Sequence, residues 1–254
     1  MPPPVRPSLQ AISEGQENKV DTQTRHALKK DKFAQATASS VSWVEEHRSS
    51  VLRWVVVAAV ALVLVVAAFV YWNNRSAAAD VALGGALEVY NAPLAQPGEP
   101  PENGVYTTAS ARAQEANREF VAVAHDFGWL PQGAKAHYFA GVTDEELGQN
   151  GAAETELKSA AGAWDKNLSS LAKLALAGLY QRTSRDSQAI DIYNALTAKP
   201  TETVPAGLAQ LDLADLYLAE GKQDQARAIW AKVKDSDKDG PAGAAASEKL
   251  SPKQ

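Results

Sequence analysis

The longest apolar segment of the chain runs without interruption from Trp54 to Trp72. Its 19 residues include no charged side chain, amide, glycine or proline. As a helix it would be about 28 Å long, which matches the hydrocarbon thickness of a bilayer. Trp54 at one end and Tyr71 with Trp72 at the other are side chains that anchor helices at membrane interfaces. The pattern predicts a single transmembrane helix over residues 54–72.

The segment that precedes this helix is polar and has two parts that differ in composition. Residues 1–20 are rich in proline at the start and contain too few apolar side chains to form a core, which predicts a disordered tail. Within residues 21–53, apolar side chains recur at helical spacing, at Phe33, Thr37, Val41 and Val44. This pattern fits an amphipathic helix on the membrane surface and, equally well, a solvated extension of the transmembrane helix.

Helical periodicity continues after the apolar segment, and no stretch shows the alternation of a β-strand. The pattern predicts a helix over residues 76–91, a proline-rich loop over 92–104 and a second helix over 107–127. Short helical patterns and tight turns then alternate as far as residue 250. The sequence therefore predicts an all-α protein with a helical domain over residues 76–250.

A repeat of 36 or 37 residues runs through this domain. LALAGLY at 174–180 matches LDLADLY at 211–217, and the same offsets align three kinds of position in three units. Small residues recur on the first helix of each unit (Gly141, Ala177, Ala214) and on the second helix (Ala153, Ala189, Ala226), and a large residue follows one turn later (Leu157, Tyr193, Trp230). Gly148 and Gly221 fall between the helices, where a positive φ is easily adopted. We expect units at about 134–168, 170–206 and 207–240.

This pattern resembles the tetratricopeptide repeat, whose period is about 34 residues. The resemblance implies a helical-repeat solenoid whose first helices line a concave groove. Its concave positions correspond here to Lys135, Tyr138, Val142, Glu145, Leu171, Leu174, Gly178, Gln181, Arg182, Leu208, Leu211, Asp215 and Leu218. The set is mostly apolar, which favours an apolar or amphipathic partner over an acidic C-terminal tail. The alternative is that any one of these leucines is buried between helices.

Charge distribution suggests an orientation for the predicted transmembrane helix. Basic residues close to its N-terminal side are Arg25, Lys29, Lys30, Lys32, Arg48 and Arg53, whereas Arg75 alone follows it closely. The positive-inside rule then places the N-terminus in the cytoplasm. A signal peptide cleaved near 77–79 is the alternative, but the preceding tail and the apolar run are longer than such a peptide has.

Composition narrows the range of functions. Residues 76–254 carry 16 basic and 24 acidic side chains, a net charge of −8 that disfavours a nucleic-acid partner. The chain has no cysteine, so it has no thiol nucleophile, disulfide or cysteine metal ligand. The four histidines lack metal-ligand spacing, and no phosphate-binding loop is present. We expect a non-enzymatic protein without a cofactor.

One acidic segment resembles the opening of a calcium loop. Asp235, Asp237 and Asp239 alternate before Gly240, as carboxylates do at positions 1, 3 and 5 of that loop. Position 12, normally a bidentate glutamate, is Ala246 here. An acidic turn before a helix that begins at Pro241 is the alternative, and we expect no metal site.

The order of these segments, namely a tail, one membrane helix, a further helix, a loop and about three repeats, is similar to the YfgM-like family of ancillary subunits of the bacterial Sec translocon. The likeness covers residues 30–250. It implies a single-pass protein of the bacterial inner membrane with periplasmic repeats. Sec translocon subunits, periplasmic chaperones or exported polypeptides would be its partners. An envelope-assembly or cell-division scaffold, or a signalling adaptor, are the alternatives.

Overall fold

A computed structural model of the protein describes residues 48–96 and 104–251. The expectations for residues 1–20 and for most of 21–53 lie outside these ranges. The described residues are all-α, as the sequence predicted, and contain an isolated backbone bridge but no strand. Their nine helices are α1 Arg48–Tyr90, α2 Ala109–Phe127, α3 Pro131–Glu146, α4 Asn150–Ala161, α5 Lys166–Arg182, α6 Asp186–Ala198, α7 Ala206–Ala219, α8 Gln223–Ser236 and α9 Pro241–Leu250.

Helix α1 is longer than the apolar segment that the sequence singled out. It is the helix of the described ranges that is long and apolar enough to cross a membrane, and none of its most apolar window is buried by the protein. The sequence predicted separate helices over 54–72 and 76–91, but residues 73–75 are helical and join them. Asn73, Asn74 and Arg75 are compatible with a helix. They mark the point at which the apolar pattern of α1 ends, and the helix itself continues through them.

The chain divides at Phe69 into two compact units, and the second unit holds all the helix pairs. Its first core joins the C-terminal half of α1 to α2 and α3. Ala79, Leu83 and Ala86 of α1 are buried here with Phe120 of α2, at a spacing that places them on one helix face. The C-terminal half of α1 therefore buries one apolar face against α2 and α3, and it is part of the packed domain.

Polar contacts fix the same part of α1 in place. The Arg75 guanidinium lies over the Phe127 ring, 4.6 Å from its centre, and donates a hydrogen bond to the carbonyl of Asp126 at 3.0 Å. Gln132, nearly buried at the start of α3, donates through Nε2 to Asp80 at 2.7 Å. These contacts link α1 to the junction between α2 and α3.

The ends of the predicted loop 92–104 are tied together wherever the structure describes them. The Ala95 amide donates to the Tyr106 carbonyl at 2.8 Å, and the Tyr106 amide donates to the Pro93 carbonyl at 3.1 Å. Helix α2 then begins two residues later than the predicted helix 107–127. The Thr108 hydroxyl caps it by accepting a hydrogen bond from the Ala111 amide at 3.1 Å, which sets its start.

Three helix pairs follow, α3 with α4, α5 with α6 and α7 with α8, and equivalent positions have equivalent burial. The small residues predicted at the helix crossings are all buried: Gly141, Ala177, Ala214, Ala153, Ala189 and Ala226. The large residues predicted one turn later, Leu157, Tyr193 and Trp230, are buried as well. At Gly141 a Cβ atom would lie 2.6 Å from Cγ of Leu157. A side chain at residue 141 would therefore push α3 away from α4.

The turns inside the three pairs share one geometry. Gly148, Ser184 and Gly221 occupy the same position, with φ of 72°, 57° and 79°. In each turn the next amide donates to the carbonyl five residues back: Gln149 to Asp144 at 2.8 Å, Arg185 to Tyr180 at 2.7 Å and Lys222 to Tyr217 at 2.8 Å. This bonding is the helix C-cap that normally requires glycine. The sequence predicted a positive φ at Gly148 and Gly221 and gave no indication of the same turn at Ser184.

Candidate binding groove

A cavity of about 490 Å³ opens between the first helices of the three pairs. We call it the groove; it is lined by Tyr138, Val142, Glu145, Leu171, Leu174, Ala175, Gly178, Gln181, Arg182, Tyr193, Asp212 and Asp215. Its volume lies within the range of about 300–1,000 Å³ that is typical of ligand sites. Nine of the thirteen predicted concave positions line this one cavity.

The other four predicted positions lie elsewhere. Lys135 lines a second cavity on α3. Leu208 and Leu218 are exposed on α7 away from the groove wall. Leu211 is buried in the core with Ala214 and Trp230, so it belongs to the packing of α7 against α8 and α9. For Leu211, therefore, the alternative holds that a predicted leucine is buried between helices. Helix α7 presents the neighbouring residue, Asp212, to the groove instead.

Three groove residues were not among the predicted positions. Asp212 follows the predicted Leu211 by one residue, which is about 100° around a helix. Tyr193 comes from the second helix of the middle pair and reaches the groove wall although most of its surface is buried. Ala175 follows Leu174 on α5. The regular helical spacing of the predicted positions on α7 selected Leu211 and missed Asp212, although Asp212 and Asp215 are one turn apart on the same helix face.

Two ion pairs frame the groove. The Arg182 guanidinium binds the Glu145 carboxylate at 2.5 Å and joins α5 to α3. Gly178 leaves room for this arginine, because a Cβ atom there would lie 3.2 Å from Nη1 of Arg182. At the other end, Nζ of Lys249 on α9 binds both carboxylate oxygens of Asp215 at 2.8 Å. Both pairs are partly exposed, so they position side chains more than they stabilise the fold.

Asp212 is the groove acid without such a partner. Within residues 48–96 and 104–251 no ion pair or hydrogen bond engages its carboxylate. Burial raises the pKa of Asp212, and the negative charge of Asp215 raises it further, while Lys249 opposes the change. A half-buried carboxylate of this kind attracts a cation, because pairing would offset its desolvation.

The two tyrosines of the groove also respond to this acidic surface. Burial raises the pKa of Tyr193 to about 12, with a smaller contribution from Asp212. Burial likewise raises the pKa of Tyr138, and Glu145 adds to the effect. Both phenols are therefore neutral at physiological pH. Tyr138 is partly exposed and offers its hydroxyl group and ring to a ligand as binding elements, whereas Tyr193 is buried and its hydroxyl donates to Gln181 at 3.5 Å.

The acidic segment before α9 has a structural role. The Asp237 carboxylate accepts hydrogen bonds from the amides of Ala242 at 3.0 Å and Gly243 at 3.1 Å, at the N-terminus of α9. Helix α9 begins at Pro241, as the alternative to a calcium loop required. Asp235 and Asp239 are exposed, and no cluster of three metal-binding side chains occurs in the part of the chain that the structure describes.

Comparison with protein-family models and with curated protein sequences gives no significant match for this chain. The class of protein is therefore described from its fold and its groove. The described residues form an all-α protein with one candidate membrane-spanning helix and three helix pairs of matching construction. A groove lined by apolar, aromatic and acidic side chains lies on the first helices of these pairs.

Proposed function

We propose that this protein is a membrane-anchored, non-enzymatic interaction protein of the tetratricopeptide-repeat type, whose groove binds a segment of another polypeptide. The observation that carries the proposal is the groove itself. Nine positions that the repeat resemblance assigns to a concave surface line one cavity of about 490 Å³. The matching crossings and turns of the three helix pairs support the repeat assignment.

The segment that suits this groove is amphipathic and carries lysine or arginine. Val142, Leu171 and Leu174 offer apolar contacts to such a segment. Asp212 offers a carboxylate that would pair with a cation of the ligand. The net charge of −8 on residues 76–254 attracts cationic chains over a longer range.

The protein would act at a bacterial inner membrane, with its N-terminus in the cytoplasm and its helix pairs in the periplasm. The length and apolar character of α1 support the anchor, and the excess of basic residues before it supports the orientation. The YfgM-like order of segments points to the Sec translocon, periplasmic chaperones and exported polypeptides as partners. An anchor beside the exit site would raise the local concentration of the groove for emerging chains.

Site-specific photocrosslinking in nanodiscs tests the groove directly. A benzophenone amino acid is placed at Leu171, which lines the groove and belongs to no core cluster of the described residues. The matched control position is Leu218, which is exposed on α7 outside the groove. The probes are two apolar peptides that carry lysine or glutamate, respectively. We expect the lysine peptide to crosslink at residue 171 and much less at residue 218.

Two variants sharpen this test. Leu171→Ala should weaken binding of the lysine peptide about tenfold, because it removes about 1–2 kcal/mol of apolar burial, whereas Leu218→Ala should leave binding unchanged. Asp212→Asn should reduce the preference for lysine over glutamate while helicity is kept, because the net charge of −8 falls by only one. Equal crosslinking at 171 and 218, or an unaltered preference in Asp212→Asn, would contradict the proposal.

The partners are tested in cells with the same crosslinker at residue 171. Crosslinks to exported polypeptides, Sec translocon subunits or periplasmic chaperones would support the placement beside the translocon. Crosslinks to cell-wall or division proteins alone would favour an envelope scaffold instead and would leave the groove assignment intact. Deletion of residues 1–30 provides a further distinction, because a signalling adaptor should lose its output and a translocon partner should keep its association.

A further inference from the structure

A second cavity, of about 500 Å³, lies at the other side of α3 and is rich in tryptophan. Trp72, Trp129 and Trp164 line it, and we call these three residues the tryptophan surface. Trp164, in the turn between α4 and α5, is fully exposed, and Trp129, in the turn between α2 and α3, is half-exposed. Two large aromatic side chains left in water beside one cavity indicate a contact that the isolated chain does not make.

The tryptophan surface is continuous with one end of the apolar segment. The Trp129 ring lies edge-on to Trp72, with 5.0 Å between ring centres, and is parallel to Tyr71 at 6.4 Å. Tyr71 and Trp72 are the residues at which the apolar segment ends. All of these residues belong to the compact unit that begins at Phe69. The depth of residues 71 and 72 in a membrane therefore sets the depth of Trp129 as well.

We propose that the tryptophan surface rests in the headgroup region of the lipid bilayer and holds the helical domain against the membrane. The inference depends on the proposed membrane anchor. Tryptophan favours this region because its ring is apolar while its N–H group can still bond to water or to lipid. Trp72 at the boundary brings Trp129 to the same level, and Trp164 lines the same cavity from the turn between α4 and α5.

Charge has a small part in this contact. Lys135 and Asp165 both line the cavity, so their charges oppose each other. Attraction to anionic lipids relies on clusters of basic residues, and the described residues that line this cavity include no such cluster. The contact should therefore be similar with zwitterionic and anionic lipids and should persist in high salt, which distinguishes it from electrostatic docking.

Fluorescence quenching in nanodiscs tests the proposal on the full-length protein. The chain has no cysteine, so Lys166→Cys introduces a unique site for an environment-sensitive dye, two residues from Trp164. The control site is Lys232→Cys, exposed on α8. The quencher is a phosphatidylcholine with a spin label on its headgroup. We expect quenching of the dye at residue 166 and little at residue 232, both with and without phosphatidylglycerol.

The variant Trp164→Ser provides the second measurement. Because Trp164 is fully exposed, its replacement should leave the circular dichroism unchanged. We expect it to abolish most of the quenching at residue 166. Unchanged quenching in Trp164→Ser would overturn the role of Trp164. Quenching that appears only after other membrane proteins are added would overturn the lipid assignment and indicate a protein contact.

Insertion of the protein into the nanodisc is measured in the same samples. A protein that fails to enter the disc would contradict the membrane anchor, and this inference would fall with it. A protein that enters the disc but leaves the dye at residue 166 open to iodide, a quencher in water, would overturn this inference alone. The two failures are therefore distinguishable.

Discussion

Replacing Ser184 by glycine is expected to stabilise the middle helix pair. Ser184 has φ of 57° at the position where the first and third pairs have Gly148 and Gly221. The hydrogen bonds around the three turns are the same, so the serine adopts a conformation that the turn imposes and that an L-residue disfavours. The Ser184 side chain is exposed, so its removal sacrifices no buried contact.

The magnitude follows from two opposing effects. A non-glycine residue in the left-handed region costs about 1–2 kcal/mol, which the substitution would recover. Glycine also gives the unfolded chain more freedom, which subtracts about 0.5–1 kcal/mol. The free energy of unfolding should therefore rise by about 0.5–1 kcal/mol. For a domain of this size, the melting temperature should increase by about 1–4 °C.

Thermal unfolding of the full-length protein in nanodiscs, followed by circular dichroism, measures this shift. Gly148→Ser and Gly221→Ser are matched controls, because a Cβ atom at either glycine would meet no other atom within 4 Å. Their effect is thus purely conformational and should have the opposite sign. A lower melting temperature for Ser184→Gly, with both controls destabilised, would refute the equivalence of the three turns.

Two further predictions concern packing and charge. Gly141→Ala should destabilise the protein by about 1–3 kcal/mol in chemical denaturation, because the new Cβ would lie 2.6 Å from Leu157 Cγ; the control Gly151→Ala meets nothing within 4 Å, and an equal loss in both variants would contradict the reasoning. Hydrogen bonds from Lys158 and Arg185 lower the pKa of Glu154 from 4.5 to about 2. The contribution of Glu154 to the free energy of unfolding is therefore fully present above pH 4.5, and it is lost as the pH falls toward 2. Glu154→Gln should remove about 1 kcal/mol of that pH dependence, and an unaltered pH profile of melting temperature would be evidence against it.

Much of the fold could be predicted because its signals are local. Helical periodicity and the glycines in two turns act through neighbouring backbone, and the small residues at the crossings recur at a fixed offset from one pair to the next; the structure has them where the sequence placed them. The continuity of α1 could not be predicted in the same way. Asn73 and Asn74 weaken an apolar pattern without preventing a helix, so a change of environment looked like a boundary.

The groove shows where local reasoning ends. Assignment of concave positions by register works on α3 and α5, where Val142 and Leu171 line the cavity. On α7 it selects Leu211, although Asp212 faces the groove and Leu211 is buried. The face that a helix presents to the groove depends on how the neighbouring helices pack against it. A rotation of the helix by one residue moves a groove-lining side chain into the core and a core side chain into the groove. The exposure of Trp164 likewise depends on which turns lie next to each other in space.

The Asp212 carboxylate, which has no ion-pair or hydrogen-bond partner among the described residues, has a consequence for how this sequence could change. Its charge lies near that of Asp215, and burial already disfavours it. The fold is therefore locally frustrated at the groove, since a neutral side chain at this position would suit the domain alone better. Selection for thermal stability without a partner would tend to remove Asp212 first. Asp212 is thus a residue that the chain does not need in order to fold and that serves the recognition of another molecule.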